Sequence, residues 1–249
     1  MRAVRVLSYN IHKGIGGRDR RYRIERVMAV IEEQNPDLIF LQEVDRKVRR
    51  SKNHNQPKLL ADYFNVSGRL FQMNVHLKTG GYENLILSRW PLRSRHQISL
   101  RLGAKKPRGA QAVVVETPEG LLNLVNWHLR LAERERRWQF RHLLGHRLFR
   151  VSEHLPTLIV GDFNDWRNTL ARGPFGAGKF KQVTAPSSRF RSFPAYLPVD
   201  SLDKAFCRGA LVVRHARIVR SHAARWASDY LPLIVDFHLH NRRSNGENS

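Results

Sequence analysis

The sequence predicts an α+β fold of layered sheets and helices. Three observations predict it. Strand-like apolar segments outnumber helix-like ones. Some neighbouring strands are joined by a tight turn, which makes them antiparallel. Others are separated by an amphipathic stretch long enough for a helical crossover, which parallel pairing requires. The chain has 249 residues, with no internal repeat and no low-complexity linker. One domain over residues 1–240 is expected, and the polar segment 241–249 (NRRSNGENS) reads as a disordered tail.

The elements follow in order. Arg2–Asn10 alternates through Val4 and Val6 and reads as a strand. Tyr22–Glu33 carries Ile24, Val27, Met28 and Ile31 at helical spacing. Asn35-Pro36 ends that helix, because proline disfavours helical geometry in the residue before it. Asp37–Gln42 is a short apolar strand. Leu85–Ser88, Gln111–Glu116 and Leu121–Asn126 also read as strands, the last two joined by the turn Thr117-Pro118-Glu119-Gly120. Ala132–Val151 is expected to be one helix, with Phe140, Leu144 and Leu148 every fourth residue. Thr157–Gly161 is a buried strand. Arg191–Phe193, Ser201–Phe206, Ala210–Val219 and Leu233–Leu239 complete the strand set.

Composition narrows the classes. Lys and Arg total 44 against 21 Asp and Glu, for a formal net charge of +23. A hydrophobic share of 41% with 12 Phe and 5 Trp excludes a disordered basic tail. No apolar run approaches the roughly 20 residues of a membrane span. The lone Cys207 excludes an intramolecular disulfide and a cysteine metal cluster. The first residues lack a signal-peptide pattern, so a reduced, cytoplasmic setting is expected. The charge points to a polyanionic partner: nucleic acid, an anionic membrane surface or a phosphorylated substrate. Arg outnumbers Lys 34 to 10, which a GC-rich genome also produces, so charge alone names no function.

The informative feature is polar residues placed where apolar strands stop. Asn10 follows VRVLSY, Glu43 follows LIFLQ, and His128 follows LNLVNW. Asp162 and Asn164 follow TLIVG, and Asp229 precedes LPLIVDF. Taken singly, each has an ordinary structural reading as a turn, cap or ion-pair residue. Together they are carboxylates and amides at buried positions, which are costly unless paired or holding a cation. The oxygen-rich set suits Mg²⁺ or Mn²⁺ rather than structural zinc.

The motifs SYNIH (8–12), LQEVD (41–45), ENLILSRWP (83–91), NWHL (126–129), GDFNDW (161–166), SLDKAF (201–206) and SDYLPL (228–233) occur in one order over nearly the whole chain. In this the sequence resembles the endonuclease/exonuclease/phosphatase superfamily of DNase I-like metal-dependent phosphoesterases. That group includes nucleases, abasic-site endonucleases, neutral sphingomyelinases and inositol-phosphate phosphatases. A small bacterial-type member, with a later Arg191-Ser192-Phe193-Pro194, is the nearest likeness. The resemblance implies a four-layer α/β/β/α sandwich and a Mg²⁺ or Mn²⁺ cofactor. It assigns Glu43, Asn10 and Asp229 to the metal site, and Asp162 to the attacking water. Asn164 and His128 are assigned to the phosphate, and Asp203 to orienting a second histidine. Asn84 is a further substrate-binding position.

One departure stands out. The family pattern Ser-Asp-His is here Ser228-Asp229-Tyr230. Tyr230 offers a neutral hydroxyl, where a charged donor is worth about 1.5–3 kcal/mol against roughly 1 for a neutral one. Three outcomes stay open: Tyr230 replaces the histidine, His215 or His222 enters from a loop, or the site is retained for binding only. The expected function is hydrolysis of a phosphodiester (nucleic acid or phospholipid) or a phosphomonoester by water attack. The alternative is a catalytically weakened module that binds nucleic acid or an anionic surface. Basic contacts are expected from residues 18–21, 46–52 and 105–108, while Trp90, Trp127 and Trp166 are expected to pack. Any membrane contact would be peripheral, and the sequence leaves oligomeric state open.

Overall fold

The computed structural model describes residues 3–240. In chain order the strands are β1 (Val4–Asn10), β2 (Leu38–Arg46), β3 (Gly68–Leu77), β4 (Gly80–Ser88), β5 (Leu92–Ser99), β6 (Gly109–Thr117), β7 (Gly120–His128), β8 (Thr157–Asp162), β9 (Lys181–Gln182), β10 (Asp203–Arg208), β11 (Leu211–Ile218) and β12 (Leu233–Leu239). The helices are α1 (Ile24–Gln34), α2 (Gln56–Tyr63), α3 (Glu133–Gly145), α4 (Arg147–Arg150), α5 (Pro174–Ala177) and α6 (His222–Ala227).

The strands form two six-stranded sheets among the described residues. The first runs β11-β12-β1-β2-β4-β3 and the second β5-β6-β7-β8-β10-β9. Each is antiparallel except at one central pair. β1 lies parallel to β2 with α1 in the crossover, and β7 lies parallel to β8 with α3 and α4 in the crossover. The sheets face each other: Phe40, Ile86, Val113, Leu124, Leu158 and Val160 share one buried cluster. Ile24, Val27 and Ile31 of α1 cover the outside of the first sheet. Phe140, Leu143 and Phe149 cover the outside of the second, against Trp127, Ile159 and Phe206. The result is the four-layer α/β/β/α sandwich that the resemblance implied.

Strand periodicity explains where the polar residues point. Successive strand side chains face opposite ways. In β8, Leu158 and Val160 face the partner sheet while Ile159 faces outward, so Asp162 continues the inter-sheet row. The same count puts His128 in line with Leu122 and Leu124 of β7, and Asp203 in line with Ala205 and Cys207 of β10. The rows end together, with His128 opposite Asp162 and Asp162 opposite Asp203.

Several expectations are corrected. The helix over 132–151 is broken at His146, whose extended backbone (φ −74°, ψ 129°) separates α3 from α4. Its periodic leucines could not reveal this. Arg191–Phe193 is not a strand. Phe193 makes one isolated bridge to Asp200, and the chain there is a loop fixed by Ser192 and Phe193 amides on the Asp200 carbonyl. Trp127 is fully buried and Trp90 packs half-buried, but Trp166 is 56% exposed. α2, α6, β3 and β5 were missed, because their apolar residues are too few or too irregularly spaced to stand out. The tail 241–249 lies outside the described residues.

Candidate active site

The site forms where the carboxyl ends of both parallel pairs meet. β1 and β2 bring Asn10 and Glu43 from the first sheet, and β7 and β8 bring His128 and Asp162 from the second. The link across the sheets is direct, because Asn10 Nδ2 donates to Asp162 Oδ2 at 3.1 Å. A buried amide seam lies behind it. Gln42 Nε2 donates to Asn126 Oδ1 at 2.8 Å, and Asn126 Nδ2 donates to Gln111 Oε1 at 3.0 Å and to the Leu41 carbonyl at 3.2 Å. These amides bond one another without charge and fix how the sheets meet, with Gln42 Oε1 left buried and without a partner.

Glu43 owes its position to a bulge. Gln42 faces the inter-sheet seam, so simple alternation would send Glu43 to the outer face. The register with β4 instead shifts between Leu41 and Val44, and Glu43 sits at φ +58°. Bulges re-aim side chains in this way, and a non-glycine residue in left-handed geometry costs on the order of 1–3 kcal/mol. His12 (φ 46°) and Lys13 (φ 63°), just after β1, are held similarly. They bring the Lys13 ammonium onto Glu43 Oε2. Burial pushes the Glu43 carboxyl up, but Lys13, then His128 and His12, outweigh it and hold the pKa at about 2.

Asp229 is the second acid on this side. Its Oδ1 lies 3.7 Å from His12 Nδ1, and Ser228 anchors the turn by donating to the Asn10 carbonyl at 2.8 Å. Burial raises the Asp229 pKa most. His12 then opposes the rise and Glu43 adds to it by repulsion. His12 Nδ1 is also 3.1 Å from the Ile15 carbonyl. A carbonyl only accepts, so Nδ1 carries the proton and Nε2 is left as an acceptor.

A buried charge relay of fixed geometry joins Glu83 of β4 in the first sheet to His128 and Asp162 of the second. His128 Nδ1 lies 2.8 Å from Glu83 Oε1, and its Nε2 lies 3.5 Å from Asp162 Oδ2. Arg108 spans both oxygens of Glu83 at 3.0 and 3.2 Å. The Arg108 cation keeps Glu83 an acceptor, which makes Nδ1 the protonated nitrogen and turns Nε2 toward Asp162. The 3.0 Å approach of Arg108 to Nδ1 is then a near neighbour, since neither atom can accept.

Around Asp162 the backbone is tightly shaped. Gly161 sits at φ +144°, and a Cβ there would lie 2.2 Å from the Trp127 carbonyl, so this position of GDFN admits only glycine. Asp162 Oδ1 accepts from the Asn164 amide at 2.9 Å, an Asx turn that puts Asn164 at φ +50°. Asn164 Nδ2 donates to the Leu129 carbonyl at 2.9 Å. Asp165 points away from the site. It pairs with buried Arg136 at 3.3 Å and caps the amides of Thr169 and Leu170.

Asp203 and Tyr230 form the far wall. Asp203 Oδ2 accepts from Ser192 at 2.5 Å, while Oδ1 is buried with no protein partner. Burial, and then repulsion from Asp162 directly opposite, push the Asp203 pKa well above the carboxylate range. The Tyr230 ring packs on Phe193 at 4.8 Å. Burial, reinforced by Asp162, Asp203, Asp229 and Glu43, raises its phenol well above the usual value, so the hydroxyl stays a neutral donor. Neither alternative histidine enters the site. His215 is exposed on β11, and His222, exposed at the start of α6, accepts from the Trp226 indole at 3.2 Å. The second histidine at the site is His12.

Asn84 is fully buried, and its amide donates to the Gly109 carbonyl at 3.0 Å, next to Arg108. The donor expected to meet substrate thus holds the first residue of β6, next to Arg108. Glu83, Arg108, Lys13 and His12 were not singled out from the sequence. Glu83 and His12 were within reach there, since they lie inside the quoted motifs. Arg108 was hidden in a basic run, and only the fold separates it from its solvent-exposed neighbours. Arg50 of another run is likewise structural, gripping buried Asp45 at 2.7 and 2.9 Å.

Among the described residues, no group of three or more His, Cys, Asp or Glu side chains forms a ready-made cation cluster. Glu43, Asp229 and the Asn10 amide make an oxygen-only set of two mutually repelling carboxylates and one neutral ligand. That fits a hard cation that takes one or two carboxylates and completes its shell with water and phosphate.

Comparison with known proteins places the chain. It is 27% identical over 247 residues to YbhP, an uncharacterized protein of Escherichia coli strain K12, covering 94% of this chain and 96% of that one. Its fold matches an endonuclease/exonuclease/phosphatase from Beutenbergia cavernae with a TM-score of 0.78 at 21% identity, over 97% of this chain and 72% of the other. It also matches the human Nocturnin catalytic domain with bound sulfate anion, with a TM-score of 0.71 at 20% identity, over 96% and 94%. The model of the Endonuclease/Exonuclease/phosphatase family matches residues 7–229. The chain belongs to the endonuclease/exonuclease/phosphatase family.

Proposed function

We propose that the protein is a Mg²⁺- or Mn²⁺-dependent hydrolase of phosphoesters, acting by direct attack of water. The observation that carries this reading is the convergence of both parallel strand pairs on one edge. There His128 is held between Glu83 and Asp162, beside Asn164.

Each residue's task follows from its surroundings. Glu43, Asp229 and Asn10 would hold the cation. When bound there, it neutralises phosphate charge and lowers the pKa of water. Asp162, fixed by Asn10 and the Asn164 amide, has the oxygens to orient water and take its proton. His128, its Nδ1 pinned by Glu83, presents Nε2 to a phosphoryl oxygen in its protonated form. Asn164 and Tyr230 add neutral donors, and Asp203 stands behind them as a proton-holding acid. Asn84 positions Arg108 through Gly109.

The test is a Mg²⁺ and Mn²⁺ activity screen over abasic DNA, single strands, phospholipids and phosphomonoesters. Wild type is expected to turn over at least one class. Asp162→Asn is expected to lose about 10²–10⁴-fold, the range for a general base. Tyr230→His is expected to match or exceed wild type. No turnover by wild type or Tyr230→His on any substrate would sink the reading. One observation favours binding alone: the Lys13 ammonium already satisfies Glu43. On that second reading, Asp162→Asn leaves salt-sensitive anion binding intact and no cation increases turnover.

A further inference from the structure

The loops that rim this edge carry an unusual set of exposed apolar side chains. Leu131 follows β7, Trp166 follows β8, and Tyr196, Leu197 and Val199 precede β10. They make up five of the ten large hydrophobic side chains left exposed among the described residues, each at least 54% exposed. Chain order scatters them over 69 positions (131 to 199), yet topology gathers them. β7, β8 and β10 are adjacent, with His128, Asp162 and Asp203 aligned, so all three loops leave the same edge of the second sheet.

The surroundings are basic. The Arg167 guanidinium lies 4.7 Å over the Trp166 ring, and Arg225 donates to the Tyr196 carbonyl at 3.5 Å. α3 begins two residues after Leu131. Its Arg134, Arg137 and Arg141 recur at helical spacing along one stripe with Trp138, lining an open groove of about 490 Å³. The one acid lining that groove, Glu133, pairs with Arg137 at 2.8 Å.

We propose that this rim docks the protein on an anionic phospholipid surface, with the apolar loop tips entering the acyl boundary and the arginines meeting lipid phosphates. Two arguments select this occupant. The net charge of +23 and the arginines complement anionic headgroups. Leu131, Leu197 and Val199 have no π-face on which a base could stack, whereas each buried CH₂ favours an acyl environment. Trp166 and Tyr196 are the residue types that sit at the headgroup level, and arginine stems extend along apolar surface with the charge in water. Docking rests on the hydrolase reading only for its purpose, that of meeting phosphoesters at a surface.

The test is co-sedimentation of the full chain with phosphatidylcholine vesicles, with or without phosphatidylglycerol, alongside binding to a single-stranded oligonucleotide. Wild type is expected to bind the phosphatidylglycerol vesicles and not pure phosphatidylcholine. Leu197→Asp and Trp166→Ala, both at exposed positions, are expected to melt as wild type and to lose about ten-fold or more in vesicle binding each. Asp162→Asn is expected to bind vesicles as wild type, so failure of catalysis and failure of docking are separable. Absence of wild-type binding to the anionic vesicles would overturn the proposal. So would vesicle binding unchanged in both apolar variants, which would reduce the contact to net charge. Loss of oligonucleotide binding in those variants, with vesicle binding unchanged, would overturn it in favour of nucleic acid.

Discussion

At the carboxyl end of β1 and β2, Glu43 and Asp229 remain partly exposed, Glu43 paired with Lys13 and Asp229 with His12, and they repel each other. At the carboxyl end of β7 and β8, His128 and Asp162 are buried together with Glu83 of β4 and Arg108, just before β6, each fixed by a neighbour at hydrogen-bond or ion-pair distance. The two ends are related by topology but differ in electrostatics. Partly exposed acids that repel each other and lean on a lysine ammonium and an imidazole can exchange one cation for another. Buried acids locked by arginine and histidine cannot, and they instead hold fixed directions for hydrogen bonds. The first end is suited to receiving a cation, and the second to orienting the groups that act on phosphate.

The largest expected way to break this contrast is Glu83→Gln. It leaves the Arg108 charge buried without a carboxylate and frees the His128 ring. Stability is expected to fall by about 3–5 kcal/mol, measured by denaturant unfolding. A loss under 1 kcal/mol would mean that the second end is not rigidly charge-paired. Lys13→Met probes the first end, with an expected loss of about 1–3 kcal/mol at pH 7. The sign follows from Glu43. Its folded pKa of about 2 lies below the ordinary carboxylate value, so its contribution is present above that value and fades as pH falls toward 2. Lys13→Met should therefore differ most from wild type near neutrality and converge with it in acid. Added Mn²⁺ should raise the melting temperature of Lys13→Met more than that of wild type, since the resident cation is gone. Equal shifts would refute the exchange idea.

The smallest expected effect is stabilising. Asp203 faces Asp162 across adjacent strands with one oxygen unpartnered. Its raised pKa means that the folded state disfavours its charge. Asp203→Asn should then be the more stable protein at pH 8, measured by denaturant unfolding. The gain should shrink as pH falls through the raised folded value toward the ordinary carboxylate range, where both forms are neutral. A variant less stable than wild type at pH 8 would show that the Asp203 charge is compensated.

Much of the site could be read from residue order. Asn10, His128, Asp162 and Asp203 each terminate or begin a strand, Glu43 directly follows the apolar half of β2, and apolar strands announce themselves by composition. The partners of these residues were harder to see. Glu83 stands one position from Asn84, and sequence spacing offers no reason to prefer it. Arg108 looks like part of a basic loop until β6 is paired with β7. Trp166 looks like a core tryptophan because it follows GDFND, yet the chain turns there and exposes it. The break at His146 has one local signal, Gly145 just before it, which the flanking leucines mask by keeping helical spacing on both sides.

The sequence by itself determined the strand and helix alternation, the oxygen-rich residue set and the Tyr230 departure, because all three reside in residue types and their order. The tertiary structure decided which acids become neighbours, which lysine meets Glu43, and that the exposed apolar loops share the edge of the site. Those facts depend on strand pairing, on a bulge in β2, and on how two sheets meet. Such contacts link positions far apart in the chain, and no local pattern encodes them.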